Sequence, residues 1–202
     1  MGDKSPSAGY PSGQAKQEIE FDGLSDKDHV LNGSSAEIFV VEYSDTECPF
    51  CKVFHNTMKS VLSIYGNRVG WIYRQLPIPQ LHARAMSEAI ATECIADLGG
   101  NTAFWSYLDK IFVATNSNDS LDPTLLPKFA KDVGVDTTAF NNCVKDPKIE
   151  ERVKESIEAG YDAGAQGTPY SLIVDKKGKV LETINGAEPL DMVRVKIDAL
   201  LK

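Results

Sequence analysis

Residues 37–44 read Glu-Ile-Phe-Val-Val-Glu-Tyr-Ser, a mostly continuous β-branched and aromatic run that predicts a strand covered on both faces. Just upstream, residues 28–31 followed by Asn32-Gly33 predict a short edge strand ending in a turn. From Pro49 to Tyr65 the period changes. Phe50, Val53, Phe54, Met58, Val61 and Leu62 recur at helical spacing, and Gly66-Asn67 closes the segment. Residues 69–76, with Trp71, Ile72 and Tyr73, then return to a strand pattern. Strand, helix and strand in that order make a βαβ unit.

Pro77 and Pro79 end that pattern. Met86, Ile90, Cys94 and Leu98 recur every four residues and predict a helix ending at Gly99-Gly100. Residues 104–112, 123–133 and 137–144 also read as helices, and Pro147 opens a longer one with Ile149, Val153, Ile157 and Tyr161 on one face. Residues 170–174 and 180–184, joined by Lys176-Lys177-Gly178-Lys179, predict a β-hairpin. A last helix over 190–201 carries Leu190, Val193, Ile197 and Leu200 on one side. The chain is therefore an α/β sheet protein whose middle is interrupted by helices.

With 202 residues and 42% hydrophobic content, the chain can bury one core, or a core and an inserted lobe, without external staples. Twenty-one basic against 29 acidic residues leave a net charge of -8, which with no basic stripe argues against nucleic acid as a partner. The longest apolar runs fall far short of the roughly 20 residues a membrane span needs, so the reading is of a soluble chain. The first residues are rich in Gly, Ser and Pro and lack an apolar stretch, which predicts a flexible leader over 1–25 and no signal peptide.

Four cysteines are too few for a disulfide-dense scaffold, and only Cys48 and Cys51 are closely spaced. A structural zinc site would need a second such pair, so no metal is expected there. Cys-Pro-Phe-Cys follows a strand and opens a helix, where residues three apart can bridge with little strain. At the helix start, free backbone N–H groups and the positive dipole end favour a thiolate on Cys48, which makes it the expected nucleophile. Pro49 costs no hydrogen bond at the first helical position, and Cys51, one turn in, is the expected resolving thiol. Glu42, six residues before Cys48, is placed to exchange protons with Cys51 through water, or else to be a paired structural acid.

Glu42-Tyr43-Ser44-Asp45, Glu47-Cys48-Pro49-Phe50-Cys51 and Phe54-His55 resemble the DsbA-like branch of the thioredoxin superfamily. Leu76-Pro77-Ile78, Leu81-His82, Phe104-Trp105 and Gly167-Thr168-Pro169 extend the likeness over about residues 28–201, closest to BdbD-like members. The resemblance implies a thioredoxin fold with an inserted all-helical lobe: a first part over 26–80, the lobe over 81–160 and a second part over 161–202. It also implies an exposed first cysteine, a buried second one, and a cis-proline loop at Thr168-Pro169 that binds a substrate strand. Glu42 falls on the family's buried acidic position, with Arg74 near it.

The resemblance further implies an extracytoplasmic thiol–disulfide oxidoreductase, its signal or anchor absent from this chain, that donates the Cys48–Cys51 disulfide to reduced or unfolded proteins. Such a protein needs no cofactor beyond that disulfide, is a monomer, and is reoxidised by a membrane quinone-linked partner of the DsbB or VKOR type. A reductase or isomerase of the same fold is an alternative, as is a non-catalytic chaperone or a dithiol carrier of a soft ion such as Cu(I). Cys94 and Cys143 share the lobe and are either bonded, as an oxidising compartment favours, or two core thiols.

Two departures bear on redox tuning by Pro49, Phe50 and Glu42. Phe50 stands where the strongest oxidants have histidine, so the dipeptide offers the Cys48 thiolate no imidazolium. Asp45 and Glu47 add negative charge, with Glu47 expected to be exposed and screened. His55 is expected to pack along the first helix, and His82 to cap or pack at a helix start.

Overall fold

The computed structural model describes residues 19–201, and the start of the leader, residues 1–18, lies outside the described residues. Five strands form one sheet in the order β1-β3-β2-β4-β5: β1 His29–Leu31, β2 Ile38–Ser44, β3 Val69–Gln75, β4 Tyr170–Asp175 and β5 Val180–Asn185. The central strand β2 runs parallel to β3 and antiparallel to β4. It is almost wholly buried because the sheet is covered on both sides, which is why its sequence is continuous rather than alternating.

One face of the sheet, with Val40, Trp71, Tyr73, Ile173 and Ile184, packs on α1 (Pro49–Tyr65), on α6 (Leu190–Leu200) and on Phe104, Trp105 and Leu108 of α2 (Ala85–Ala114). The other face, with Val41, Tyr43, Ile72, Leu172 and Val174, packs on Ile157 and Ala159 of α5 (Pro147–Asp162). A third cluster lies among the helices, where Ile95, Tyr107 and Ile111 of α2 meet Ala130 of α3 (Leu126–Asp132) and Phe140 of α4 (Thr137–Cys143).

The two helices expected on either side of Gly99-Gly100 meet at a kink within α2 at Gly100, whose φ of 75° is open to glycine and strained for other residues. The buried side of α2 holds only part of the predicted stripe, with Cys94 buried and Ile90 packed against the same cluster. Leu98 is 44% exposed, whereas Glu88, Thr92 and Glu93 are buried beside Ala85 and Ala89, so the inner face is polar where it meets the ends of the strands. On α5, Tyr161 points outward and Gly160 takes its place, because a Cβ there would stand 3.0 Å from the Tyr43 ring.

The leader expected through residue 25 is tied down before its end. Glu20 donates its N–H to the Asp162 carbonyl at 3.2 Å, and the Asp22 carboxylate and the Gly23 carbonyl both accept from Arg74. Arg74 also holds Asp28 at 2.9 Å and the Tyr43 hydroxyl at 3.1 Å. It therefore lies on the α5 face of the sheet, opposite Glu42 rather than near it, because its register partner is Tyr43.

Cys94 and Cys143 are bonded, with Cα atoms 5.8 Å apart, and join α2 to α4 across 49 positions. Replacing both with alanine is expected to lower unfolding stability by about 2–4 kcal/mol. Exchange at Cys48 should be untouched, since the bond lies in a separate cluster. A denaturant midpoint equal to that of the oxidised parent would refute this.

Candidate active site

After β2 the chain turns through Asp45, Thr46 and Glu47 and enters α1 at Cys48, which is the N-cap residue, with Pro49 following as the first helical residue. The turn is held by its own acid. The Asp45 carboxylate accepts the N–H of Glu47 at 2.8 Å, the N–H of Ile78 at 2.9 Å and Nδ1 of His82 at 2.9 Å. Asp45 thus welds the cysteine turn to the loop after β3.

Both thiols are free in this structure, and their surroundings differ. Cys51 is fully buried, and its sulfur accepts the Asp45 N–H at 3.4 Å. The Thr168–Pro169 peptide bond is cis, and the Thr168 carbonyl lies 3.4 Å from the Cys48 sulfur. That loop leaves Cys48 only 5% exposed, so the first cysteine is covered rather than open. Thr168 is itself half-buried and Pro169 buried.

The Cys48 thiol is lowered to about 6, chiefly by a hydrogen bond from the Cys51 thiol, which outweighs the cost of burial, with help from the Thr168 side chain and the N–H groups of Cys51 and Phe50. The Thr168 carbonyl can only accept, so it alone favours the protonated form. Cys51 moves the other way: burial raises it strongly, and its neighbour Cys48 adds to the rise. One sulfur is thus a thiolate at neutral pH and the other keeps its proton.

Glu42 is wholly buried on the α1 face, where Trp71 Nε1 donates to Oε2 at 2.9 Å. Burial pushes its carboxyl up to about 7, against the nearby Ser44 hydroxyl and the hydrogen bond from Trp71. A carboxyl at that value can give or take a proton near neutrality.

The acids and histidines around this pair depart from expectation. Glu47 is not exposed but fully buried, because its carboxylate anchors the loop after α2: it accepts from Asp119 N at 2.7 Å, Leu121 N at 3.3 Å and Thr115 Oγ1 at 3.2 Å. Glu88 faces it, accepting from Thr46 Oγ1 at 2.6 Å, and is raised to about 9, first by burial and then by Glu47. An imidazole does reach this region, supplied by His82. Burial works against its charge, but Asp45, with Cys48 and Asp119, outweighs it and raises its pKa. His55 is buried and bonds Asp109 at 2.6 Å, and burial lowers its pKa. Phe50 and Val53, which fit the helical spacing of α1, are 62% and 57% exposed, so the first turn of α1 presents an apolar surface. Pro49 is half-buried beside it.

Among the described residues no group of three or more His, Cys, Asp or Glu is placed to hold a metal ion. No helix among them is long and apolar enough to cross a membrane.

A thioredoxin family model matches residues 25–191, a span that includes the cysteine turn, the helical lobe and the cis-proline loop. The chain belongs to the thioredoxin family. Within the thioredoxin superfamily it is DsbA-like. The crystal structure of DsbA2 from Pseudomonas aeruginosa is 28% identical, with a TM-score of 0.74, covering 89% of this chain and 97% of that one. BdbD from Bacillus subtilis, in its oxidised form, shares the thioredoxin fold at a TM-score of 0.74 and 20% identity, covering 90% of this chain and 97% of that one. The structural neighbours of this thioredoxin-family chain are thiol–disulfide oxidoreductases of the DsbA type. A curated relative of a different name, a Na(+)/H(+) antiporter NhaA 3 from Salinispora tropica, is 31% identical over 144 residues, which are 71% of this chain and 21% of the antiporter. The chain spans about a fifth of the length of the curated relatives it matches.

Proposed function

We propose that the chain is a disulfide donor: it introduces disulfide bonds into reduced or unfolded proteins outside the cytoplasm. The observation that carries this reading is the asymmetry of the two thiols, with Cys48 lowered to about 6 at a helix start and Cys51 buried and raised. A substrate thiolate attacks the Cys48 sulfur of the oxidised enzyme, the Cys48–Cys51 bond breaks, and Cys51 leaves as a thiolate that takes up a proton. A second substrate thiolate then attacks the substrate sulfur of the mixed disulfide, releasing Cys48 as a thiolate and leaving the substrate with the new bond. Because the Cys48 thiolate is stabilised, the reduced enzyme is the lower state and electrons flow into it.

Thr168 and Pro169 line a cavity with Gly167, Tyr170 and Asn185, and the substrate strand is proposed to lie along this loop beside Cys48. Phe50, exposed and uncharged, leaves Cys48 without a cation in the dipeptide, which points to a milder oxidant than a chain with histidine there. The Cys94–Cys143 bond supports an oxidising compartment. Turnover requires reoxidation, for which a membrane quinone-linked partner of the DsbB or VKOR type is proposed. No separate cofactor enters this scheme.

Two assays on the same protein test the proposal. The oxidised form should speed disulfide formation in a reduced, denatured substrate that folds only with its disulfides, and should reduce insulin poorly with a thiol as electron source. Fast insulin reduction with no gain in oxidative refolding would make it a reductase instead.

A further inference from the structure

Four buried side-chain polar atoms with no hydrogen-bond partner among the described residues share one face of the sheet: Glu42 Oε1, Ser44 Oγ, the Tyr73 hydroxyl and Ser171 Oγ. Glu42 stands opposite Tyr73 on β3 and opposite Ser171 on β4, and Ser44 is two residues further along β2. Side chains two apart on a strand share a face, so all four point toward the layer that holds α1 and Cys51. Each is 0–1% exposed. Unpaired groups this deep are costly and few, so four together call for a reason beyond packing.

Ser44 is the member nearest to the chemistry. It directly precedes Asp45, whose N–H touches the Cys51 sulfur. Its hydroxyl reaches Glu42, Cys51 and Tyr73 closely enough to lower the pKa of each, without completing a hydrogen bond to any. A hydroxyl is both donor and acceptor, whereas Trp71 Nε1, already bonded to Glu42, can only donate. Tyr73 is held protonated, its pKa raised far above the usual by burial and then by Cys51 and Glu42, so it can orient a neighbour but not carry a proton.

We propose that the Ser44 hydroxyl relays a proton between Glu42 and Cys51 during disulfide exchange, with Tyr73 as a positioning residue. The proposal rests on the exchange reading above and adds the route by which the buried sulfur changes its protonation. When a thiolate opens the Cys48–Cys51 bond, the Cys51 thiolate takes the Ser44 proton while Ser44 takes one from the Glu42 carboxyl. The products are a Cys51 thiol, an unchanged serine and a Glu42 carboxylate. Reoxidation runs the same transfers backward. The ionisable groups facing Glu42 in this layer are Cys48 at the cap of α1, Cys51 of α1 and Tyr73 of β3.

The test is single-turnover reduction of the oxidised protein by glutathione across pH, with acid quenching and mass detection, in the parent, Ser44→Ala, Ser44→Thr and Tyr73→Phe. Ser44→Ala should slow the step about tenfold near neutral pH, as loss of one proton-transfer partner does, and should erase the inflection that Glu42 places near pH 7. Ser44→Thr should restore both. Tyr73→Phe should slow the step less and keep the inflection. Alkylation of Cys48 in the reduced variants should match the parent. A Ser44→Ala protein with the parent's rate and inflection would overturn the relay, as would a loss that Ser44→Thr fails to rescue. Should Ser44→Ala not fold, a proton inventory on the parent decides: a curved dependence on deuterium fraction supports two protons in flight, and a straight line overturns them. A parent that does not react with glutathione would sink the exchange reading itself, whereas a fast parent and an indifferent Ser44→Ala sink the relay alone.

Discussion

Cys48→Ser is expected to bring disulfide exchange down to the uncatalysed background, and Cys51→Ser to turn the protein into a trap that accumulates mixed disulfides with its substrates. The two variants differ because the thiols do. Cys48 is the sulfur beside the cis-proline loop and the one lowered to about 6, so it accepts the incoming thiolate and leaves readily. Cys51 has no exposed surface and a raised pKa, so its task is to close or open the internal bond. Without it, a substrate bound through Cys48 is released only by another thiol from outside. The pH dependence has a definite sign: alkylation of Cys48 in reduced protein should rise with pH through about 6 and level off above it. Mass mapping after a limiting dose of reagent checks the assignment, and preferential labelling of Cys51 would reverse it.

Glu42→Gln is expected to stabilise the reduced protein above pH 7 and to slow it. The Glu42 carboxyl has risen from an ordinary 4.5 to about 7, so the folded state holds its proton where the unfolded chain has lost it. Stability is therefore unaffected below about pH 4.5, falls as pH rises through the window to about 7, and stays lower beyond it. At about 1.4 kcal/mol per pKa unit, the penalty reaches about 3 kcal/mol, the amount a neutral side chain of the same shape recovers. Glutamine can still accept from Trp71 Nε1, which now bonds Oε2. Cys48 contributes in the opposite sense in the reduced protein, since its lowered thiol adds stability as pH rises above about 6, and Glu88, raised to about 9, adds a fall of its own. Subtracting the variant's curve from the parent's isolates Glu42. Denaturant unfolding of both reduced proteins from pH 4 to 8 measures it, and parallel curves would refute the shift. The cost should appear in exchange, about tenfold slower near neutral pH for want of the acid.

Much of this site is legible in the sequence because its signals are local. Pro49 after Cys48, directly behind a strand, places a sulfur at a helix start without any knowledge of the fold, and the continuous run of β2 marks it as central. Glu42 stands out as an acid within an apolar strand. The rest depends on partners far along the chain. Glu47 reads as a solvated acid until Asp119 and Leu121, more than 70 positions away, wrap its carboxylate. His82 reads as a helix-start residue until Asp45 meets it from the other side of α1 and β3. Glu88 and Thr92 fall four apart beside Ala85 and Ala89, a small-residue face that marks close packing, but the larger Met86, Ile90 and Leu98 point the period elsewhere. Phe50 and Val53 mislead for the converse reason: they fit the helical stripe and yet stay in solvent beside the reacting sulfur.

Disulfide donation by this chain is tested most directly by the equilibrium of the Cys48–Cys51 pair with glutathione buffers, read as the fraction oxidised by mass after quenching. A disulfide donor whose nucleophile is lowered to about 6 has a partly stabilised reduced form. The expected potential therefore lies above that of thioredoxin, about −270 mV, and below that of the strongest oxidants of this fold, about −120 mV. A value at or below about −270 mV would contradict disulfide donation, because a pair so poised is as reducing as thioredoxin and would open all but the most stable protein disulfides.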